Sequence, residues 1–161
     1  MGFQTYIQYD SSDCGATCLR MIAKYYGKKL SQDYFHARLS TIRSGTSLLN
    51  LSEQAKLIGL ENTALAMTFE ELMREANLPC IIHWKKSHFV VVTKVQDQTI
   101  QIADPAFGLI TYNKNEFLQN WISIIDNTSA SGIVLLLKPT PEFKKITENN
   151  RRVSSLKFIL K

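Results

Sequence analysis

The chain has 161 residues, of which 45% are apolar and 20% charged, the composition of an ordinary globular protein with one domain. No apolar run approaches the roughly 20 residues that a membrane-spanning helix needs. The first residues also lack the basic and apolar stretches of a secretory signal. Three cysteines without such a signal favour a reducing compartment over a disulfide framework.

The net charge of +5 is concentrated at the end of the chain. Residues 138–161 hold seven basic and two acidic residues, which accounts for the whole net charge and leaves residues 1–137 neutral. A neutral remainder without a basic stripe argues against a nucleic-acid partner. A basic tail of this kind suits a position beside an anionic membrane face.

Helical patterns dominate the first half of the chain. Asp13 is a suitable N-cap and Gly27 a suitable C′ glycine, and the apolar spacing between them predicts a helix over about 14–26. A loop is predicted at 40–47. Further helix starts and ends are marked by Ser31, by Ser47, by Gly59, and by the capping box of Thr68 and Glu71.

After Pro79 the pattern changes to short β-branched and aromatic runs. Strands are predicted for CIIHW (80–84), HFVVVTKV (88–95), TIQIAD (99–104), LITYN (109–113) and IVLLL (133–137), with a short helix between Asn113 and Trp121. Helices followed by an antiparallel sheet indicate an α+β fold. Residues 122–132 are expected to form a long surface loop. We predict a domain over 1–138 and a basic linker over 139–161.

Cys14 is the first candidate for chemistry. At the start of a helix, a thiol lies near the positive end of the helix dipole, which favours the reactive thiolate. A lone cysteine is nevertheless more often a small buried apolar residue, so Cys14 alone does not decide between a nucleophile and a core residue.

His88 and Asp104 supply the second and third candidates. His88 begins one predicted strand and Asp104 ends the next, and an antiparallel hairpin brings these two positions together. A carboxylate beside an imidazole holds the ring in one tautomer and stabilises its charged form. Asp-Pro is also a common turn, and a lone histidine such as His83 is usually structural.

Gln8 completes the set, because acyl transfer through a thiolate creates an oxyanion that needs hydrogen-bond donors. The amide side chain of Gln8 and the backbone N–H of Cys14 are suited to that purpose. In the order Gln, Cys, His, Asp, the four residues predict a cysteine-dependent acyl-transfer site.

The motifs QYDSSDCGATCL, PCIIHW followed by HFVVVTKV, IADPAFG and PTPEF resemble a known family over nearly all of residues 4–143. The chain is similar to the N-terminal peptidase domain of peptidase-containing ABC transporters, which process and export bacteriocins and related peptides. The resemblance implies a papain-like fold, with Cys14 as nucleophile, His88 as general base and acid, Asp104 as orienting group and Gln8 as oxyanion donor.

The same resemblance implies a substrate and partners. Members cut leader peptides after a double-glycine motif at the cytoplasmic face of the bacterial plasma membrane, and the leader binds as an amphipathic helix in a hydrophobic groove. The transmembrane and ATPase domains of the same transporter, homodimeric at full length, are the expected partners. ATP and Mg²⁺ are expected only in the ATPase domain, with no cofactor or metal in the peptidase domain.

Other functions remain as alternatives. Degenerate relatives lose the cysteine and only dock export substrates, so a non-catalytic docking domain is the main one. A peptidoglycan amidase is disfavoured by the missing secretory signal and the three cysteines. A metal site formed by Cys14 and Cys18 with Cys80 or His83 lacks the second closely spaced ligand pair of structural zinc sites.

Overall fold

The computed structural model describes residues 2–38 and 47–146, in which seven strands form one antiparallel sheet. In chain order the elements are α1 (Cys14–Tyr25), α2 (Gln32–Arg38), α3 (Leu48–Leu57), β1 (Leu60–Met67), α4 (Phe69–Glu75), β2 (Cys80–Trp84), β3 (His88–Val95), β4 (Thr99–Asp104), β5 (Gly108–Asn113), α5 (Lys114–Trp121), β6 (Ile122–Ile125), β7 (Ala130–Pro139) and α6 (Pro141–Lys144). The strand order is β1-β7-β2-β3-β4-β5, and β6 also pairs with β7. The predicted α+β class is confirmed.

Both faces of the sheet are covered by helices, as the residues of β3 illustrate. Its residues Phe89 and Val91 belong to the core cluster that contains the apolar residues of α1 and α3. Val90 and Val92 belong to the second cluster, with apolar residues of α4 and α5. Because successive side chains of a strand point to opposite faces, a strand buried on both faces is apolar throughout. This explains the uninterrupted FVVV run.

Most of the predicted helix boundaries agree with the structure. Gly27 has φ +95° just beyond the end of α1, and its N–H donates to the Lys24 carbonyl (3.0 Å). The Ser47 hydroxyl accepts from the N–H of Asn50 (3.1 Å), and both bonds of the Thr68–Glu71 capping box are present. The predicted 40–47 loop lies outside the described residues except for Ser47.

The start of α1 differs from its prediction. Asp13 occupies the N-cap position without a capping hydrogen bond from its side chain. A 3₁₀ turn over Ser11–Asp13 precedes the helix, and Asp10 caps that turn by accepting from the Ser12 N–H (2.8 Å). The Asp13 carboxylate instead accepts from Nε2 of Gln32 (2.9 Å), which links α1 to α2.

Strand β1 was not predicted, and it lies between two helices rather than after them. It pairs with β7 along its whole length, from Leu60 opposite Pro139 to Met67 opposite Gly132. Its sequence LENTALAM is rich in Ala, Asn and Glu, which are depleted in strands, and its inner residues are partly exposed because it is an edge strand.

The surface loop expected at 122–132 is a β-hairpin, so that prediction was wrong. Ile122 pairs with Gly132 and Ile125 with Ala130. The turn between the strands is closed by Asp126, whose N–H donates to the Ser129 carbonyl and whose carboxylate accepts from the N–H of Thr128 and Ser129. Only the four residues of this turn connect the two strands.

The core also extends beyond residue 138, where the linker was expected to begin. Phe143 of α6 is 1% exposed and Ile146 is 7% exposed, and both belong to the first core cluster. Gly59, at φ +83°, lies so close to Phe143 that a Cβ atom would be 2.4 Å from the Phe143 nitrogen. Residues 139–146 are therefore part of the folded unit, while 147–161 lie outside the described residues.

Across residues 2–38 and 47–146, no helix is both long and apolar enough to cross a membrane.

Candidate active site

Three elements meet at one end of the sheet: α1 begins there with Cys14, β3 begins there with His88, and β4 ends there with Asp104. The hairpin of β3 and β4, in which Val91 is opposite Ala103, brings the last residue of β4 near the start of β3. His88 Nε2 and Asp104 Oδ1 are 2.7 Å apart. The hairpin argument therefore placed these two side chains correctly.

The carboxylate of Asp104 is held firmly in this position. Asp104 is 2% exposed, and its Oδ1 atom also accepts a hydrogen bond from the Ala106 N–H (2.8 Å) in the turn that follows β4. A buried carboxylate is strongly unfavourable unless it has such partners. The turn after β4 therefore aims one oxygen of Asp104 at His88.

His88 has a raised pKa of about 9, although its partial burial lowers the pKa. Interactions with Asp104 and with Cys14 raise the pKa and outweigh that burial. Because Nε2 faces Asp104, Nδ1 is the ring nitrogen left for Cys14. The imidazole thus lies between a carboxylate and a thiol, an arrangement that suits proton exchange with sulfur.

Cys14 has no exposed surface. The sequence argument expected its sulfur to be within reach of an incoming peptide carbonyl, and the structure instead covers it with the first core cluster. A peptide can reach the sulfur only if neighbouring groups move. Cys14 nevertheless helps to raise the pKa of His88, which indicates that the thiol lies near its base.

Gln8 is brought to the same end of the molecule by its backbone. Its N–H donates to the carbonyl of Pro105 (2.7 Å), the residue that follows Asp104. Its Oε1 atom is buried and has no hydrogen-bond partner among the described residues. The oxygen of the side-chain amide is therefore an unsatisfied acceptor.

Cys18 contributes to the site in a way that the sequence argument missed. Its Sγ donates to the carbonyl of Phe89 (3.3 Å), directly after His88, and so ties α1 to the start of β3. Burial, with the charges of Cys14 and Asp104, raises the pKa of the Cys18 thiol well above its usual value. Its place one helical turn after Cys14, on the same face, is a sequence feature that indicates this role.

Two of the alternative metal ligands, Cys18 and Cys80, do not come together. Cys18 lies in the first core cluster and Cys80 in the second, on the opposite face of the sheet. The ring of His83 packs against Phe89, with 5.2 Å between ring centroids. Cys80 therefore does not complete a metal site with Cys14 and Cys18.

A buried thiol, an imidazole and a carboxylate in this order, at the junction of a helix and an antiparallel sheet, define the class of site that cysteine peptidases use. Residues 3–141 match the model of the Peptidase C39 family, and the chain belongs to this family. It is therefore a cysteine peptidase by family.

The relatives that the chain matches are longer proteins. The chain is 31% identical over 144 residues to the colicin V secretion/processing ATP-binding protein CvaB of Escherichia coli, covering 89% of this chain and 19% of CvaB. It is 33% identical over 156 residues to the lactococcin-G-processing and transport ATP-binding protein LagD of Lactococcus lactis subsp. lactis, covering 92% and 20%. The chain thus spans about a fifth of the length of these relatives.

Solved structures confirm the papain-like α+β fold. A double glycine motif protease from an AMS/PCAT transporter, in complex with the leader peptide, matches with a TM-score of 0.70 and 32% identity, over 85% of this chain and 91% of that one. The peptidase domain of Streptococcus ComA, a bi-functional ABC transporter, matches with a TM-score of 0.69 and 26% identity, over 86% of this chain and all of that one.

Proposed function

We propose that this chain is the cysteine endopeptidase domain of a bacterial peptide-exporting ABC transporter, and that it cleaves leader peptides after a double-glycine motif. One observation carries the proposal: Nε2 of His88 lies 2.7 Å from the buried carboxylate of Asp104, and an interaction with Cys14 helps to raise the pKa of His88. The double-glycine protease among the structural neighbours and the processing proteins among the relatives support the choice of substrate.

In the proposed reaction His88 accepts the proton of Cys14, and the resulting thiolate attacks the carbonyl carbon of the scissile peptide bond. The tetrahedral intermediate collapses when His88 gives its proton to the leaving amine, which departs as the new N-terminus. A water molecule, deprotonated by His88, then hydrolyses the thioester and restores the thiol.

Asp104 and Gln8 act on this reaction in different ways. Asp104 holds the ring of His88 in one tautomer and stabilises its protonated form, so it is the orienting residue. Gln8, together with the backbone N–H of Cys14, donates hydrogen bonds to the oxyanion of the tetrahedral intermediate. The backbone bond from the Gln8 N–H to Pro105, the residue after Asp104, holds Gln8 at this end of the molecule and supports this role.

The burial of Cys14 agrees with a substrate whose leader ends in glycines, just before the scissile bond. Glycine has no Cβ atom, so its backbone can approach a covered thiol more closely than that of any other residue. Binding energy then has to come from remote contacts of the leader, which orient the scissile bond.

The wider setting is part of the same proposal. Transmembrane and ATPase domains of one transporter, homodimeric at full length, are the expected partners, and the peptidase domain works at the cytoplasmic face of the plasma membrane. ATP and Mg²⁺ serve the ATPase domain, and the reaction above uses no cofactor.

Incubation of the chain with a peptide that carries a Gly-Gly leader tests the proposal, with the products identified by mass. We expect one cut directly after the second glycine, and no cut in a matched peptide with both glycines replaced by valine. Cys14→Ala is expected to bind the peptide without cutting it, while Cys80→Ala cuts as the parent does. If the parent also binds without cutting, the chain is a docking domain; if Cys14→Ala still cuts, Cys14 is not the nucleophile.

A further inference from the structure

The C-terminal end of α1 and the neighbouring α6 present a surface that combines an exposed aromatic ring with lysines. Tyr25, the last residue of α1, is 56% exposed. The lysines around it, each at least partly exposed, are Lys24, Lys28, Lys29, Lys144 and Lys145. We call Tyr25 and these five lysines the basic-aromatic surface.

Contacts between α1 and α6 hold this surface together. The ring of Tyr25 stacks on Phe3, with 6.1 Å between centroids, and meets the edge of Tyr26 at 5.1 Å. Tyr26 in turn packs edge-on against the buried ring of Phe143, at 6.5 Å. Lys28 Nζ donates to the carbonyl of Lys144 (3.0 Å), so lysines that are distant in sequence lie side by side.

The positive charge of this surface is only partly neutralised. Glu142 lies within it and pairs with Lys145 at 3.7 Å, with both side chains largely exposed to solvent. The described residues end beside it at Ile146, and the sequence then continues with Arg151, Arg152, Lys157 and Lys161 against one further acidic residue, Glu148.

We propose that the basic-aromatic surface docks on membranes that contain anionic phospholipids. Lysines beside a bilayer are attracted to the negative headgroups, and an exposed tyrosine is suited to the headgroup region because its ring is apolar and its hydroxyl is polar. The inference rests on this surface alone and does not depend on the proposed peptidase reaction.

The position of the surface is compatible with catalysis. Cys14 is the first residue of the 12-residue helix α1 and Tyr25 is the last. A helix of that length spans about 18 Å, so the docked surface and the candidate site lie at opposite ends of one rigid element. Docking therefore turns the candidate site away from the headgroups and toward the solution.

Vesicle binding by the full 161-residue chain tests the proposal, with vesicles of phosphatidylcholine alone and of phosphatidylcholine mixed with phosphatidylglycerol, at low and high salt. We expect binding only to the mixed vesicles, and weaker binding at high salt. The double variant Lys29→Glu/Lys144→Glu is expected to bind on the order of tenfold more weakly or worse. Tyr25→Ser is expected to weaken binding severalfold and to keep its salt dependence.

The matched control is Lys85→Glu/Lys86→Glu, which makes the same charge change in the β2–β3 turn, at the other end of α1. It is expected to bind vesicles within about twofold of the parent, because screening limits charge effects to about 10 Å. Equal losses in both double variants would show that only net charge matters and would overturn the proposal. The proposal would also be overturned if the parent did not bind the mixed vesicles. Binding of duplex DNA through this surface instead would be one such outcome.

Hydrolysis of a soluble peptide and the unfolding temperature are measured for the Lys29→Glu/Lys144→Glu variant as well. Both are expected to match the parent, because the two side chains are exposed and far from Cys14. If the double variant bound vesicles weakly and also had a lowered unfolding temperature, the loss of binding would be attributed to misfolding and would count against the proposal. Tyr25→Ser then serves as the second test.

Discussion

Two neighbourhoods of this protein each contain a buried cysteine and a partly buried histidine, and only one of them has the geometry of a site. Cys14 and His88 lie at the junction of α1 and β3, whereas Cys80 and His83 lie on the single strand β2. The pKa of His88 is raised to about 9, while burial lowers the pKa of His83. Burial also raises the pKa of the Cys80 thiol to about 12.

The difference follows from backbone geometry and from one carboxylate. Residues three apart on a strand point to opposite faces, so Cys80 and His83 cannot meet. Cys14 and His88 come from different elements that converge, and Asp104 from a third element adds a negative charge 2.7 Å from the ring. Cysteine and histidine alone therefore do not make a site; the carboxylate and the convergence of elements do.

The histidines provide the largest expected contrast. His88→Ala is expected to lower kcat/KM for a Gly-Gly leader peptide by about a thousandfold to ten-thousandfold, because it removes both the base and the acid of the reaction. His83→Ala, the matched control, is expected to change it less than about threefold, since its partner is the ring of Phe89. Equal losses in the two variants would refute the assignment of His88.

Asp104→Asn is expected to lower kcat/KM by about a hundredfold or more. Measurable activity should remain, because a base without its orienting group still works, although less well.

The Asp104→Asn substitution is also expected to change the pH profile. The pKa of His88 is about 9, so its protonated form persists up to that pH and activity should decline above it. Without the Asp104 charge that raises this pKa, the decline should begin at lower pH.

Rates measured between pH 6 and pH 10, on the parent and on Asp104→Asn, check this expectation. The unfolding temperature of both proteins at neutral pH serves as the control for folding, since Asp104 is buried. A descending limb at the same pH in both proteins would mean that Asp104 does not control the protonation of His88.

The Gln8→Ala variant tests whether the neighbourhood of Cys14 and His88 also contains an oxyanion donor. Gln8→Ala is expected to lower kcat by about a hundredfold with a smaller change in KM, because a donor to the tetrahedral intermediate acts mainly in the transition state. The backbone bond from Gln8 to Pro105 does not involve the side chain, so the fold should be kept. A variant that changes KM alone would assign Gln8 to substrate binding instead.

Alkylation rates provide the smallest contrast. Near neutral pH an iodoacetamide-type reagent is expected to modify Cys14 about tenfold faster than Cys18 or Cys80, because burial raises the thiol pKa values of the latter two. Peptide mapping of partly labelled protein identifies the modified residue. Preferential labelling of Cys80 would show that contact with His88 does not activate Cys14, and His88→Ala should abolish the preference for Cys14.

The comparison also shows how far local reasoning reaches. Helix ends at Gly27, Ser47 and Thr68 were predicted correctly because capping depends on residues within one turn of each other. The hairpin of β3 and β4 was predicted because its two strands are adjacent in sequence, and this placed Asp104 beside His88. Strand β1 and helix α6 were missed because their stability comes from distant partners, namely β7 and Gly59.

The sequence by itself determined the α+β class, the helix that begins at Cys14, and the identity of the four residues that gather at one end of the sheet. Only the tertiary structure decided that Cys14 is covered, that Cys18 ties α1 to β3, and that α1 and α6 share a basic-aromatic surface. The physical reason is sequence distance: capping and strand alternation act between near neighbours, whereas burial and contacts between elements depend on how remote segments pack.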